Sequence, residues 1–158
     1  ADLGVPAACV PLVWFAMSAA KSLAAPRAGR LADRVSPRAV LAAGWLVFAA
    51  AYGCLAGASS LAAALPLIVL VGVAYGIAEP AERAVVAALA PPGRQGASFG
   101  WYALVQGLLA LPAGLLAGWL WDRGAGDPAA AFGATAALAA TAAGLLAVAV
   151  PLRGRPAA

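Results

Sequence analysis

Five long apolar runs divide the chain, at about 5–28, 39–57, 61–89, 97–121 and 129–152, with short clusters of Arg, Gly, Pro and Ser between them. Each run reaches the roughly 20 residues that a helix needs to cross a bilayer. Lipid offers no partner to backbone N–H and C=O groups, so the runs are predicted as α-helices, which satisfy those groups internally. A membrane barrel would instead need segments of about ten residues that alternate in polarity, and long Ala/Leu runs do not alternate. The expected fold class is all-α, a polytopic transmembrane helix bundle of about five spans in a single domain over 1–158.

Composition supports lipid as the surrounding solvent. Hydrophobic residues make up 65% and charged residues 10%, and the mean hydropathy is +0.93, whereas a soluble domain carries about a quarter charged residues. The net charge of +4 raises nucleic acid as a partner. The basic residues form neither a run nor a patch interleaved with aromatics, so none is expected.

The basic residues follow the turns instead. Arg27, Arg30, Arg34 and Arg38 separate the first two runs, Arg94 the third and fourth, and Arg153 and Arg155 follow the fifth. Seven of the ten basic residues thus fall on one side, while the other carries Arg123 with Asp2, Asp122 and Asp127. Cationic turns are retained in the cytoplasm, which places segments 29–38 and 90–96 and the C-terminus there. Trp101 and Tyr102 near the inner end of the fourth run, and Trp119 and Trp121 near its outer end, fit interfacial belts. Trp14 and Trp45 lie deeper and are expected to pack between helices or against lipid.

Several chemistries are excluded or disfavoured by residue type. There is no His, and Cys9 and Cys54 have no metal-ligand spacing, so structural zinc and histidine catalysis are not expected. Both cysteines read as small packing residues in apolar surroundings. No phosphate-binding GxxxxGK[ST] loop is present, so the chain does not itself use ATP. An intramembrane enzyme would need paired catalytic groups at depth, and none is evident. No cofactor is implied.

Small residues and prolines punctuate the runs. Gly114 and Gly118 form a GxxxG pair that lets helices approach closely, and Gly72, Gly76 and Gly107 add to the small-residue content. Pro66, Pro80 and Pro112 fall inside runs, where each removes a helical hydrogen bond and bends the axis.

The charged residues within runs carry the functional expectations, because ionisable groups at membrane depth are costly and default to functional candidates. Glu79 and Arg83 have the favourable acid-first i,i+4 spacing, and Glu82 borders the same face; the cluster either has a gating or transport role or is an interfacial ion cluster that fixes the depth of the helix. Lys21, in the first run, either lines a solute path or carries its ammonium to the inner interface on its long stem. Gln106, in the middle of the fourth run, either lines that path or makes an interhelical hydrogen bond.

The segment Gly29-Arg30-Leu31-Ala32-Asp33-Arg34-Val35-Ser36-Pro37-Arg38 resembles the signature loop of the major facilitator superfamily. That loop has a glycine followed by Asp-Arg, a second glycine and further basic residues. Ser36 and Pro37 depart from the usual glycine and basic residue, but serine as N-cap with proline at the first helical position can still start a helix. A second stretch, Tyr75 to Ala84 followed by Ala90 to Gly96 and on to Tyr102, looks like the tenth helix and following loop of bacterial facilitator proteins. Taken end to end, the chain resembles helices eight to twelve of that family. Its start at Ala rather than Met fits a cut through a longer protein.

The resemblance implies a secondary transporter of a small solute in the bacterial cytoplasmic membrane, working by alternating access. Its partners would be the bilayer, the solute, the N-terminal helices of the same protein and, if transport is proton-coupled, protons with Glu79 as carrier. It also implies a charge network between loop and helix, involving Gly29, Asp33, Arg34, Arg38, Glu79, Glu82 and Arg83. Asp33 and Arg34 would latch onto Arg83 and Glu82 when the cytoplasmic side is closed. The alternative is a non-transporting membrane scaffold or a degenerate transporter remnant.

Overall fold

The computed structural model describes residues 7–123 and 128–149. After a short 3-10 turn at Ala7–Cys9, five helices follow: α1 (Val10–Arg34), α2 (Pro37–Ala56), α3 (Leu61–Leu89), α4 (Gln95–Arg123) and α5 (Pro128–Ala149). No strand occurs among the described residues, and the fold is a helical membrane bundle. The expected run ends at 5–6 and 150–152, together with Asp2, Asp127, Arg153 and Arg155, lie outside the described residues.

Among the described residues four helices are long and apolar enough to cross a membrane: α2, α3, α4 and α5. Helix α1 begins inside the first expected run and continues past its end at 28, and its second half carries Lys21, Arg27, Arg30, Asp33 and Arg34. Segment 29–38, expected as a loop, is also mostly helix. Leu31, Ala32 and the arginines are good helix formers, and a single Gly29 costs only about 1 kcal/mol. The break comes later, at Val35 and Ser36. Proline disfavours helical geometry in the residue before it, and Ser36 accordingly is extended at φ −166°, ψ 131°. Its hydroxyl makes no cap hydrogen bond, and Pro37 opens α2.

Other turns follow the same local rules. Ser60 caps α3 by accepting a hydrogen bond from the Ala63 N–H at 3.2 Å. Between α3 and α4, the Arg94 N–H bonds the Pro91 carbonyl at 3.0 Å, with Pro92 and Gly93 in the centre. Gly93 has φ +75°, which the third position of this turn type requires and other side chains resist.

The packing reverses the size order of a soluble core. Among the described residues those buried are mostly alanines, no large side chain is fully buried, and Trp14, Phe15, Leu108 and Leu111 are among many large apolar groups facing outward. Lipid tails are as apolar as leucine, so nothing drives large side chains inward; van der Waals contact between backbones holds the helices together. The hydroxyls of Thr135 and Thr141 bond back to the carbonyls of Ala131 and Ala137 at 2.9 and 2.7 Å, so neither is left without a partner. Helix α1 packs chiefly on α3, and α2 on both α3 and α5, whereas α4 touches its neighbours lightly and buries none of its residues.

The closest approach is between α1 and α3. A Cβ at Gly72 would overlap the Met17 carbonyl, and one at Gly76 would lie 2.5 Å from the Lys21 carbonyl oxygen. Both pairs advance by four residues, so α1 and α3 run parallel and the α1–α2 and α3–α4 turns share one end of the bundle. On the α2 side, Gly44 meets the Ala78 backbone, where a Cβ would come within 3.0 Å of its nitrogen. Gly114 and Gly118, the pair the sequence picks out, meet nothing within 4 Å. The operative GxxxG is Gly72 to Gly76. Gly76→Ala should therefore lower stability by about 1–3 kcal/mol through overpacking, while Gly118→Ala should change it little; thermal unfolding in detergent distinguishes the two.

Candidate functional site

Lys21 of α1 lies beside Gly76, and that contact determines where its side chain goes. Its Nζ reaches Glu79 Oε2, one turn further along α3, at 2.5 Å. Glu79 Oε1 takes a second cation, accepting from Arg83 Nη2 at 2.7 Å across the i,i+4 spacing. One carboxylate thus holds two cations. The Lys21 ammonium is drawn sideways onto α3 and does not extend along the stem of its own helix.

Glu82 is held differently. Its Oε2 accepts from the Tyr102 hydroxyl of α4 at 2.7 Å, and its Oε1 from the Trp45 indole N–H of α2 at 3.3 Å. Gln106, one turn along α4, donates in turn to the Tyr102 hydroxyl at 2.7 Å. The carboxylate therefore ties three helices together through neutral donors. Such bonds let Trp and Tyr combine an apolar body with a polar tip inside a bundle.

These groups surround one cavity of about 440 Å³ to which all five helices contribute. Lys21, Glu79, Glu82, Arg83, Tyr102 and Gln106 supply its polar lining, Trp45, Phe48 and Tyr75 its aromatic walls, and Ala139 and Ala142 of α5 close it. Rings continue away from it: Phe48 lies 5.2 Å from Tyr75 and 4.6 Å from Tyr52, which meets Phe132 of α5 at 5.6 Å.

The residues singled out from the sequence divide into two groups. Lys21, Glu79, Glu82, Arg83 and Gln106 meet in the cavity, whereas Gly29, Asp33, Arg34 and Arg38 do not line it. Among the described residues the ion pairs are those of Glu79 with Lys21 and Arg83, so the latch pairs with Asp33 and Arg34 are not made in this conformation. Arg34 instead faces a second hollow with Arg27, Arg30 and Leu31. Tyr102, expected in an interfacial belt, turns inward onto Glu82. Trp45 and Tyr102 were missed as site residues, although the i,i+4 spacing of Tyr102 and Gln106 placed two polar groups on one face of an apolar helix. The Glu82–Tyr102 bond should show a coupling of about 0.6 kcal/mol or more in a double-mutant cycle of Tyr102→Phe and Glu82→Ala on detergent-solubilised protein, since each change removes the bond.

No curated protein matches the chain. Comparison with protein families matches residues 1–158 to the Major Facilitator Superfamily. With a match over its entire length and an all-helical bundle of apolar spans, the chain belongs to the major facilitator superfamily of membrane transporters.

Proposed function

We propose that the chain forms the C-terminal part, family helices eight to twelve, of a secondary transporter that moves a small solute by alternating access. The observation that carries this reading is the cavity: in a bundle of 65% hydrophobic composition, four ionic side chains converge on one space lined by every helix. Such a concentration of charge is costly in lipid and is characteristic of solute and ion pathways. A site at the junction of helices that rock against one another is also how transporters of this architecture work. The uncovered surface of α4 fits a helix whose neighbours belong to the rest of the transporter. The arginine-bearing turns at one end of the bundle support a cytoplasmic placement of that end, in a bacterial inner membrane.

Gating follows from the same charges. Arg83 sits on Glu79 here; in the alternate state it exchanges that partner for Asp33, while Arg34 reaches Glu82. A switch between two discrete sets of ion pairs is the bistable element that alternating access requires. If transport is proton-coupled, Glu79 and Glu82 are the carboxylates available as carriers.

The test needs no knowledge of the solute. In the complete protein with Cys9 and Cys54 replaced by serine, Gln106→Cys should react with a membrane-impermeant maleimide in both right-side-out and inverted vesicles. Adding Asp33→Arg should shift the ratio of the two labelling rates toward the cytoplasmic side by about tenfold, as expected for loss of an interaction worth about 1.4 kcal/mol. Labelling from one side only, unaffected by Asp33→Arg, would instead identify a static scaffold.

A further inference from the structure

The ionic groups of the cavity are balanced in number but not in place. Lys21 and Arg83 both sit on Glu79, so that end carries an excess positive charge. Among the described residues no ion pair reaches Glu82, whose oxygens accept only from Trp45 and Tyr102, so that end carries an excess negative charge. Glu79 and Glu82 are three residues apart on α3, about 4.5 Å along the helix axis at 1.5 Å per residue. The cavity is therefore neutral as a whole and strongly dipolar over the length of a small molecule.

We propose that the solute is a zwitterion with an apolar, amino-acid-sized body. Its carboxylate lies against Lys21 and Arg83, its ammonium against Glu82, and its body against the faces of Trp45, Phe48 and Tyr75. Donor capacity is available for this arrangement. An ammonium has three N–H groups and a guanidinium five, and Glu79 occupies one nitrogen of each residue. Their side chains remain 44% and 65% exposed, so both can take a second anion. The aromatic faces attract an ammonium as well as an apolar body, and about 440 Å³ falls within the ordinary range for small-molecule sites.

Charge conservation separates this solute from its rivals. A purely cationic or anionic solute would leave the occupied cavity with a net unit charge at membrane depth, where uncompensated charge is expensive. A zwitterion leaves it neutral and places each of its charges against the opposite excess. The inference rests on the cavity being the solute site, and its test can fail independently of that reading.

The experiment is equilibrium binding to the complete protein in nanodiscs. The probes are L-phenylalanine, its methyl ester as the cationic analogue and N-acetyl-phenylalanine as the anionic one, each up to about 1 mM, the upper end of ordinary substrate affinities. Phenylalanine should bind, and each singly charged analogue should bind at least about tenfold more weakly, having lost one charge-assisted contact. Glu82→Gln keeps one acceptor oxygen, for Trp45, turns its amide N–H toward the Tyr102 hydroxyl oxygen, and makes the cavity net positive. It should reverse the order, with the N-acetyl compound now binding more tightly than phenylalanine, a change that loss of folding could not produce. The proposal is overturned if the methyl ester binds wild-type protein as well as phenylalanine does, which would make this an organic-cation site. It is equally overturned if none of the three binds. In that case two-sided labelling at Gln106→Cys would show that the transporter reading survives and only the solute class is wrong.

Discussion

Two missing side chains on α3 allow the rest of the site to form. With no Cβ at Gly72 or Gly76, the α1 backbone comes into direct contact with α3 at Met17 and Lys21. In water, hydrophobic burial could hold two helices together through large side chains at greater separation. In lipid that driving force is absent, and association depends on close van der Waals contact between backbones. The same contact positions Lys21 one turn short of Glu79, close enough for the ion pair at 2.5 Å. Packing and site are thus consequences of one feature, the small-residue face of α3.

The outward-facing large residues and inward-facing alanines follow from the same solvent. An alanine core leaves little to fill the centre of the bundle, and the space between α1, α2, α3, α4 and α5 is occupied instead by polar and aromatic groups around a cavity. Each carboxylate there has found partners of a different kind. Glu79 takes two cations and is locked to α1 and its own helix, whereas Glu82 takes neutral donors from α2 and α4. The first arrangement stores positive charge beside the cavity and the second leaves negative charge exposed to it.

Helix α4 is the exception to this economy. It buries no residue and is tied to the bundle through the hydroxyl of Tyr102, with Gln106 behind it, and through the Trp121 ring, 6.5 Å from Phe132 of α5. At its far end Arg123 lies over the Trp119 ring at 4.1 Å, a contact within the helix itself. Of the five helices α4 is thus the one most lightly held by the others.

Much of the architecture was legible in the residues alone. Apolar runs longer than a bilayer is thick must be helices, because lipid leaves the backbone no other partner, and α3 covers Leu61–Leu89. The acid-first spacing of Glu79 and Arg83 is a local pattern, and it forms as the pattern implies. The turn at 29–38 was misplaced because the family pattern suggested a loop, while helix propensity carried α1 through to Arg34 and only Pro37 stopped it. What no local rule could supply was the choice among equivalent small residues and aromatic side chains. Gly72 with Gly76 and Gly114 with Gly118 have identical spacing, yet only the first pair meets a neighbouring helix. Trp45, Tyr102, Lys21 and Glu82 lie on four stretches of chain far apart in sequence. Their convergence depends on how α1, α2 and α4 rotate about α3, which is set by contacts between helices and not by spacing within any one of them.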